Sequence, residues 1–359
     1  MIFTIGEVLY DLIATELDVT LDKAEGFKKA PGGAPANAAS CIATLFHSSG
    51  CGGKCYVASK VGDDEFGRGL IQTLKNAHVC TDFIELSADV RTMLVFVSRT
   101  MPRQMLFYDN PCAHKEYGTK DIAKALPTLN QCRVIHFGSV CLAPSPMAES
   151  HRTGVKSFRE HNSRGIVSYD PNVRTSLWPV ERHPEYRSII FEFVPLAHII
   201  KVADDEIAFL ANVSELPKGG EAAFIDKFIR EHLFVQSVRV VLLTKGDKGA
   251  ELYVKTAGGI KHVIAVDRIP VDTVDVTGAG DAFIGSFLYG LERLDVTRQS
   301  LEEMSEVTVN KFSNLVKFSN ITAALSTTKY GGIVGMPTIQ EVEEVVKRMS
   351  LDVDMAHLK

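Results

Sequence analysis

The sequence predicts an α/β fold built on a mostly parallel sheet with helices on both faces, and two observations carry that prediction. Short runs bounded by Gly, Pro or Asp recur at 2–5, 55–59, 134–137, 166–169, 198–202 and 238–243. They are apolar at consecutive rather than alternate positions, as strands buried on both faces require. Helix-length segments separate them, which is the alternation of a sheet with crossover helices. Ligands of such a sheet gather at the carboxyl ends of its strands.

Other segments qualify this frame. Residues 91–99 and 104–109 carry β-branched and aromatic residues on either side of a Met-Pro-Arg turn at 101–103, so a hairpin outside the main sheet is expected. The most apolar stretch, 188–202, is interrupted by Glu192, His198 and Lys201. It falls short of the about 18 uncharged apolar residues of a membrane span and reads as a buried strand. Residues 295–320 are polar, contain no Pro or Gly, and are spaced like a helix. With no internal repeat and no low-complexity linker, residues 1–359 read as one domain with a small β excursion.

Composition narrows the function. Of 359 residues, 45% are hydrophobic and 23% charged, with mean hydropathy +0.05, which excludes disordered, collagenous and coiled-coil chains. The net charge of −5 provides no basic field to hold nucleic acid or an anionic membrane. Glu7 and Asp11 stand where a signal peptide would be apolar, so a cytoplasmic location is expected. Seven cysteines are an odd number in a chain too long to need stapling. His47, Cys51 and Cys55 are four apart but lack a fourth ligand, and they read as a histidine and small thiols rather than a zinc site.

Two glycine-rich runs carry the chemistry. Val274-Asp275-Val276-Thr277-Gly278-Ala279-Gly280-Asp281 feeds an amphipathic helix through Gly285, Phe287 and Leu291. Gly278 and Gly280 leave backbone N–H groups free for an anion, and the positive end of the helix favours one. Asp281 then has two readings, a general base for a hydroxyl or a helix cap, and this run alone leaves both open. The glycines follow neither the dinucleotide pattern nor the Walker pattern. Earlier, Gly32-Gly33 runs into an Ala-rich helix bearing Asn37, which suits either a plain connection or a polyol site.

Together these runs resemble the two signatures of the PfkB, or ribokinase-like, carbohydrate kinase family, over Ile5 to about Pro337, and most closely its fructokinases. The resemblance implies a ribokinase-like three-layer sandwich with a small β lid built from about 12–31 and 91–111. It makes Asp281 the catalytic base, with Gly278, Ala279 and Gly280 as the anion hole and Arg174, in Asp170-Pro171-Asn172-Val173-Arg174, adding positive charge near substrate and phosphate. Asp11, taken with the first strand, joins Gly32, Gly33, Asn37, Phe107 and Asn172 around the sugar. Lys201, Thr244, Gly246, Gly249, Gly278, Gly280 and Asn320 fall to the nucleotide. Glu206 organises Mg²⁺ through water, and Asp275 and Thr277 are the candidate K⁺ ligands. Arg103 and Tyr108 serve either sugar contact or the lid surface.

Three departures stand out: Asp109 replaces the usual lid arginine, His114 stands where related fructokinases often carry Asp, and Ala203 replaces an Asn near Glu206. The implied activity is ATP-dependent phosphorylation of D-fructose to fructose 6-phosphate. The rivals are a 2-keto-3-deoxygluconate kinase, another sugar or nucleoside kinase, and a catalytically quiet sugar-binding relative. The expected partners are a small sugar and Mg-ATP, with no nucleic acid or membrane, and a homodimer formed through the lid hairpin.

Overall fold

A computed structural model describes residues 1–101 and 103–359. Pro102, in the middle of the expected Met-Pro-Arg turn, lies outside the described residues. The strands are β1 (Ile2–Ile5), β2 (Leu9–Ala14), β3 (Phe27–Gly32), β4 (Cys55–Gly62), β5 (Cys80–Ser87), β6 (Leu94–Val97), β7 (Met105–Tyr108), β8 (Val134–Gly138), β9 (Ile166–Asp170), β10 (Ile199–Ala203), β11 (Val240–Thr244), β12 (Ala250–Thr256) and β13 (Gly259–Val266). The helices are α1 (Ala34–Ser48), α2 (Glu65–Asn76), α3 (Thr119–Leu129), α4 (Pro146–His161), α5 (His183–Phe193), α6 (Ile207–Leu210), α7 (Glu221–Phe228), α8 (Ala279–Arg293), α9 (Arg298–Glu303), α10 (Glu306–Ser326) and α11 (Ile339–Arg348).

Among the described residues, nine strands form the main sheet in the order β13-β12-β11-β10-β9-β8-β1-β4-β5. From β5 to β11 every neighbouring pair is parallel, and β12 and β13 extend it by antiparallel pairing. Alternate residues of each strand serve opposite faces. Ile2, Val134 and Ile166 pack with α1, α2, α8, α10 and α11, while Phe3, Ile135 and Val167 pack with α3 to α7. The result is the three-layer α/β sandwich. The chain runs from β1 out to β4 and β5 and then returns to β8 on the other side of β1, so the winding reverses at β1/β8. That reversal opens a crevice at the carboxyl ends of the strands.

Two segments differ from expectation. Residues 188–202 are the end of α5, a short 3-10 turn through Pro195, and β10. Tyr186, Ile190 and Phe193 are buried at helical spacing, and fifteen apolar-rich residues exceed the length of an ordinary strand. Residues 295–320 are two helices. Met304 turns into the left-handed region at φ 40°, and Ser305 restarts the chain by accepting from Thr308 N.

The second sheet has the order β3-β2-β6-β7. It takes in Asp11, which belongs to β2 and not to the first strand of the main sheet. Leu9, Ile13, Val95, Val97, Met105 and Phe107 share one face. On the opposite face Phe96 packs against Phe27 and Tyr108, and Leu106 and Tyr108 stay exposed. The Lys29 ammonium lies 4.4 Å from the Tyr10 ring and the Lys28 ammonium 3.7 Å from the Tyr330 ring. The second of these contacts ties the small sheet to the loop after α10.

Candidate active site

The site begins with a helix contact. A Cβ on Gly285 of α8 would stand 2.8 Å from the Ala38 carbonyl oxygen and 3.0 Å from Cys41 Cβ of α1. Glycine there lets the two helices pack closely, so their positive ends emerge side by side at the switch point. Gly278 precedes α8 at φ +83°, and a Cβ on it would meet Gly332 Cα at 2.7 Å. Both the backbone angle and the close approach exclude a side chain. Asp281 lies in the first turn of α8 but does not cap it. Its Oδ2 accepts from Asn37 Nδ2 at 2.8 Å, so the cap reading gives way to a carboxylate held across the two helices.

Two cavities meet at this turn. The first, of about 510 Å³, lies between the small sheet and the strand ends, and Asp11, Asn37, Arg174, Lys201 and Asp281 line it. The second, of about 820 Å³, includes Gly246, Asn320 and Thr328. Gly278 and Gly280 face the first, Ala279 faces the second, and Val276 touches both. The start of α8 is therefore a wall one backbone thick between two chambers; Ala279 N donates to the Val276 carbonyl at 3.2 Å, and the other N–H groups of the first turn have no carbonyl within the helix to bond.

The first chamber perturbs its acids. Burial raises the Asp281 carboxyl; the Asn37 hydrogen bond lowers it, Asp170 raises it, and Lys201 and Arg174 lower it, leaving it at about 6. A base near 6 is ionised at neutral pH yet holds a proton better than an ordinary carboxylate. Asp11 keeps some exposure to the cavity but is enclosed by protein, and burial, opposed by Arg174 and reinforced by Asp275, Asp281 and Glu7, lifts it to about 7. Burial works to strip the proton from Lys201, but Asp170, Glu206 and Asp281 more than offset it and keep the ammonium charged. Lys201 Nζ stands 3.1 Å from Asp170 Oδ2 in a buried ion pair.

Several sequence-derived site residues converge on the first chamber: Asp11, Gly33, Asn37, Phe107, Asn172, Arg174, Gly278, Gly280 and Asp281 line it. Gly32 lies beneath Asp11, where a Cβ would stand 2.5 Å from Asp11 Oδ2 and displace that carboxylate. Arg103 lines the chamber from the small sheet. Gly246 and Asn320 line the second chamber, and Asn320 Nδ2 donates to the Asp267 carbonyl at 2.7 Å.

Others stand elsewhere. Lys201, assigned to the nucleotide from sequence, lines the first chamber instead, because its position on β10 aims it under the α8 turn rather than past it. The Thr244 hydroxyl donates to the Val202 carbonyl at 3.4 Å. Gly249 answers a backbone requirement, since a Cβ there would overlap the Val266 carbonyl oxygen. Glu206 accepts from Val173 N at 2.6 Å and Ala203 N at 2.8 Å, and burial raises it to about 7 against the pull of Lys201. Asp275 accepts from Thr277 N at 3.0 Å and Gly331 N at 3.1 Å, tying the loop before α8 to the loop after α10. Asp109 pairs with Lys115 at 2.6 Å, and His114 lies buried against Cys112.

Sequence reasoning missed two carboxylates. Glu7 lines the first chamber and accepts from Ala34 N at 2.9 Å, capping α1 from outside the helix. Asp170 was visible only as part of a motif. The available signal was chemical: each is a carboxylate at the carboxyl end of an otherwise apolar strand.

The family model described as "pfkB family carbohydrate kinase" matches residues 1–339. The chain is 34% identical over 351 residues to fructokinase-2 of Oryza sativa subsp. japonica, covering 97% of this chain and 94% of that protein. The ATP-bound fructokinase of Xylella fastidiosa superposes with TM-score 0.80 at 26% identity, covering 98% of this chain and 99% of the other. A double mutant of the Vibrio cholerae O395 fructokinase, bound to fructose, ADP and potassium ion, gives TM-score 0.74 at 26% identity, covering 96% and 97%.

Proposed function

The chain belongs to the pfkB family of carbohydrate kinases, and from that premise we propose that it is an ATP-dependent fructokinase making fructose 6-phosphate. The observation that carries the reading is the shared wall. A sugar in the first chamber and the triphosphate end of ATP in the second would face each other across Gly278, Ala279 and Gly280.

Asp281 takes the proton of the attacking hydroxyl as its oxygen bonds to the γ-phosphorus, and the bond to the bridging oxygen breaks to leave ADP. The N–H groups at the start of α8 and the Arg174 guanidinium receive the charge that develops on the transferred phosphoryl. Asp11, Gly33, Asn37, Phe107 and Asn172 orient the sugar. The small sheet acts as a lid of a single domain, excluding water that would otherwise hydrolyse ATP.

Among the described residues no group of three or more His, Cys, Asp or Glu side chains is arranged to hold a metal by itself. That suits a Mg²⁺ ion carried largely by phosphate oxygens and water. Glu206, buried with both oxygens on backbone donors, would orient that water shell, and the ion would supply charge neutralisation on the phosphates. Asp275 and Thr277 mark a loop suited to K⁺, the ion named for the Vibrio cholerae relative. The exposed apolar face around Leu106 and Tyr108 suits a homodimer through the small sheet.

A second reading has its own observation. Arg103 and Arg174 both line the acceptor chamber, and two guanidinium groups suit a carboxylate, as in 2-keto-3-deoxygluconate. ADP release from Mg-ATP with fructose, 2-keto-3-deoxygluconate, ribose, glucose and adenosine, each in K⁺ and in Na⁺, separates the readings. Fructose-selective turnover supports the first; preference for the sugar acid moves the assignment to the second. Silence on every sugar removes both.

A further inference from the structure

Asp170 closes β9 and Lys201 sits inside the neighbouring strand β10, and both side chains are nearly sealed, 3% and 5% exposed. Asp170 uses its two oxygens differently. Oδ2 faces the Lys201 ammonium, while Oδ1 accepts from Asn172 N at 3.1 Å and folds the chain so that Asn172 takes φ 45°. Arg174 follows two residues later. The Lys201 ammonium stands 3.0 Å from the place a Gly280 Cβ would occupy, directly under the anion-binding turn.

A negative charge fixed beside a site that must receive phosphate works against the ligand, and a buried ion pair is seldom more stable than an apolar pair of the same volume. Its presence requires another reason. Lysine is a point charge on a flexible stem and keeps no fixed position without a partner. Two other carboxylates, Glu206 and Asp281, act on this ammonium. Without Asp170 the ammonium would settle toward the base and neutralise it.

We infer that Asp170 is a positioning residue for phosphoryl transfer, one buried carboxylate that holds Lys201 beneath the Gly278 to Gly280 turn, away from Asp281, and shapes the loop carrying Arg174. The inference rests on the kinase reading above. Asp281 is faced by Asn37 from α1, Asp170 from β9, Lys201 from β10 and Arg174 from the loop after β9, and it acts in turn on Glu7 and Asp11. Asp170 opposes ionisation of Asp281 and Lys201 favours it, so removing either charge must move the acid limb of the pH–rate profile in opposite directions.

The test compares Asp170→Asn, Lys201→Met and the double variant in kcat, in the pH profile of kcat/KM, and in Mg-ATP affinity by calorimetry. Asp170→Asn keeps the acceptor for Asn172 N and should lose about 10²-fold in kcat, with the acid limb moved to lower pH. Lys201→Met should lose about 10²- to 10³-fold, with the limb moved to higher pH. The double variant should be no worse than Lys201→Met alone, because the carboxylate acts through the ammonium. Asp170→Glu restores the charge and should return the limb toward the wild type, which covers the case where Asp170→Asn does not fold. Independent, additive losses, or limbs that move the same way or not at all, overturn the inference. If the wild type phosphorylates no sugar, the kinase reading fails. The pair is then judged by Mg-ATP affinity across the same variants, where non-additive loss supports it and additive loss overturns it.

Discussion

The two chambers on either side of the α8 turn are built by opposite means. The first carries its chemistry on enclosed charges brought from β2, the loop after β9, β10 and α8, steadied by an amide from α1, and the charges perturb one another. The second is lined mostly by small and apolar residues, among them Ala279, Ala323, Ala324, Ile269 and Leu325, and its charged members, Asp247, Arg268, Asp272 and Arg348, are exposed. Enclosed charges interact strongly and depend on position; exposed ones are screened by water and salt. Specificity and proton transfer therefore belong on the first side, where single atoms matter, and holding a nucleotide belongs on the second, where many weak contacts suffice.

The most severe break in that contrast is Asp281→Asn. We expect kcat to fall by about 10²- to 10⁴-fold with Mg-ATP affinity unchanged by calorimetry; a matching loss of ATP binding would mean the chambers are not separable. The same variant should be more stable than the wild type at pH 8. The folded carboxyl is raised to about 6 from an ordinary 3.8, so ionising it in place costs roughly 3 kcal/mol at most. That cost is present above the folded value and is relieved as pH falls from 6 toward 4, so melting curves of the two proteins should converge over that window.

Asp11→Asn comes next, with the sugar KM raised about 10- to 100-fold and the ATP KM little changed, as expected when a charged acceptor of hydroxyl groups is lost. Wild-type kcat/KM for sugar should show an acid limb between about pH 6 and 7, set by Asp281 and Asp11 together, whereas ATP binding should be flat through that limb. A pH-dependent ATP affinity with the same midpoint would blur the contrast. Smallest is Asn320→Ala on the nucleotide side, which frees the Asp267 carbonyl. It should raise the ATP KM about 2- to 10-fold and leave the sugar KM alone.

The same contrast explains what the sequence revealed. Gly278, Gly280 and Asp281 were readable because a glycine-rich entry to a helix states its chemistry locally, and Asn37 followed from its own Gly-Gly turn. The β1, β8 and β9 strands were readable because a strand buried at every position shows as a short, mostly apolar run. The pairing of Asp170 with Lys201 was hidden, since it depends on β9 and β10 being neighbours in the sheet, and so was the cap that Glu7 places on α1 from another element. The edge strand β5 escaped because its half-buried positions do not form a continuous apolar run. The break at Met304 escaped because nothing in its residue type announces a left-handed turn.

Gly285 touches neither chamber, yet it governs how they meet. The Ala38 carbonyl against it belongs to rigid helical backbone, so even a single methyl group there would act as a wedge at a fulcrum. The swing would be magnified at the helix ends, where Asn37 and Asp281 hold hands across the gap. Tolerance to mutation in this protein should accordingly follow leverage as much as chemistry, with an inert glycine about one turn beyond Asp281 constrained almost as tightly as the acid it serves.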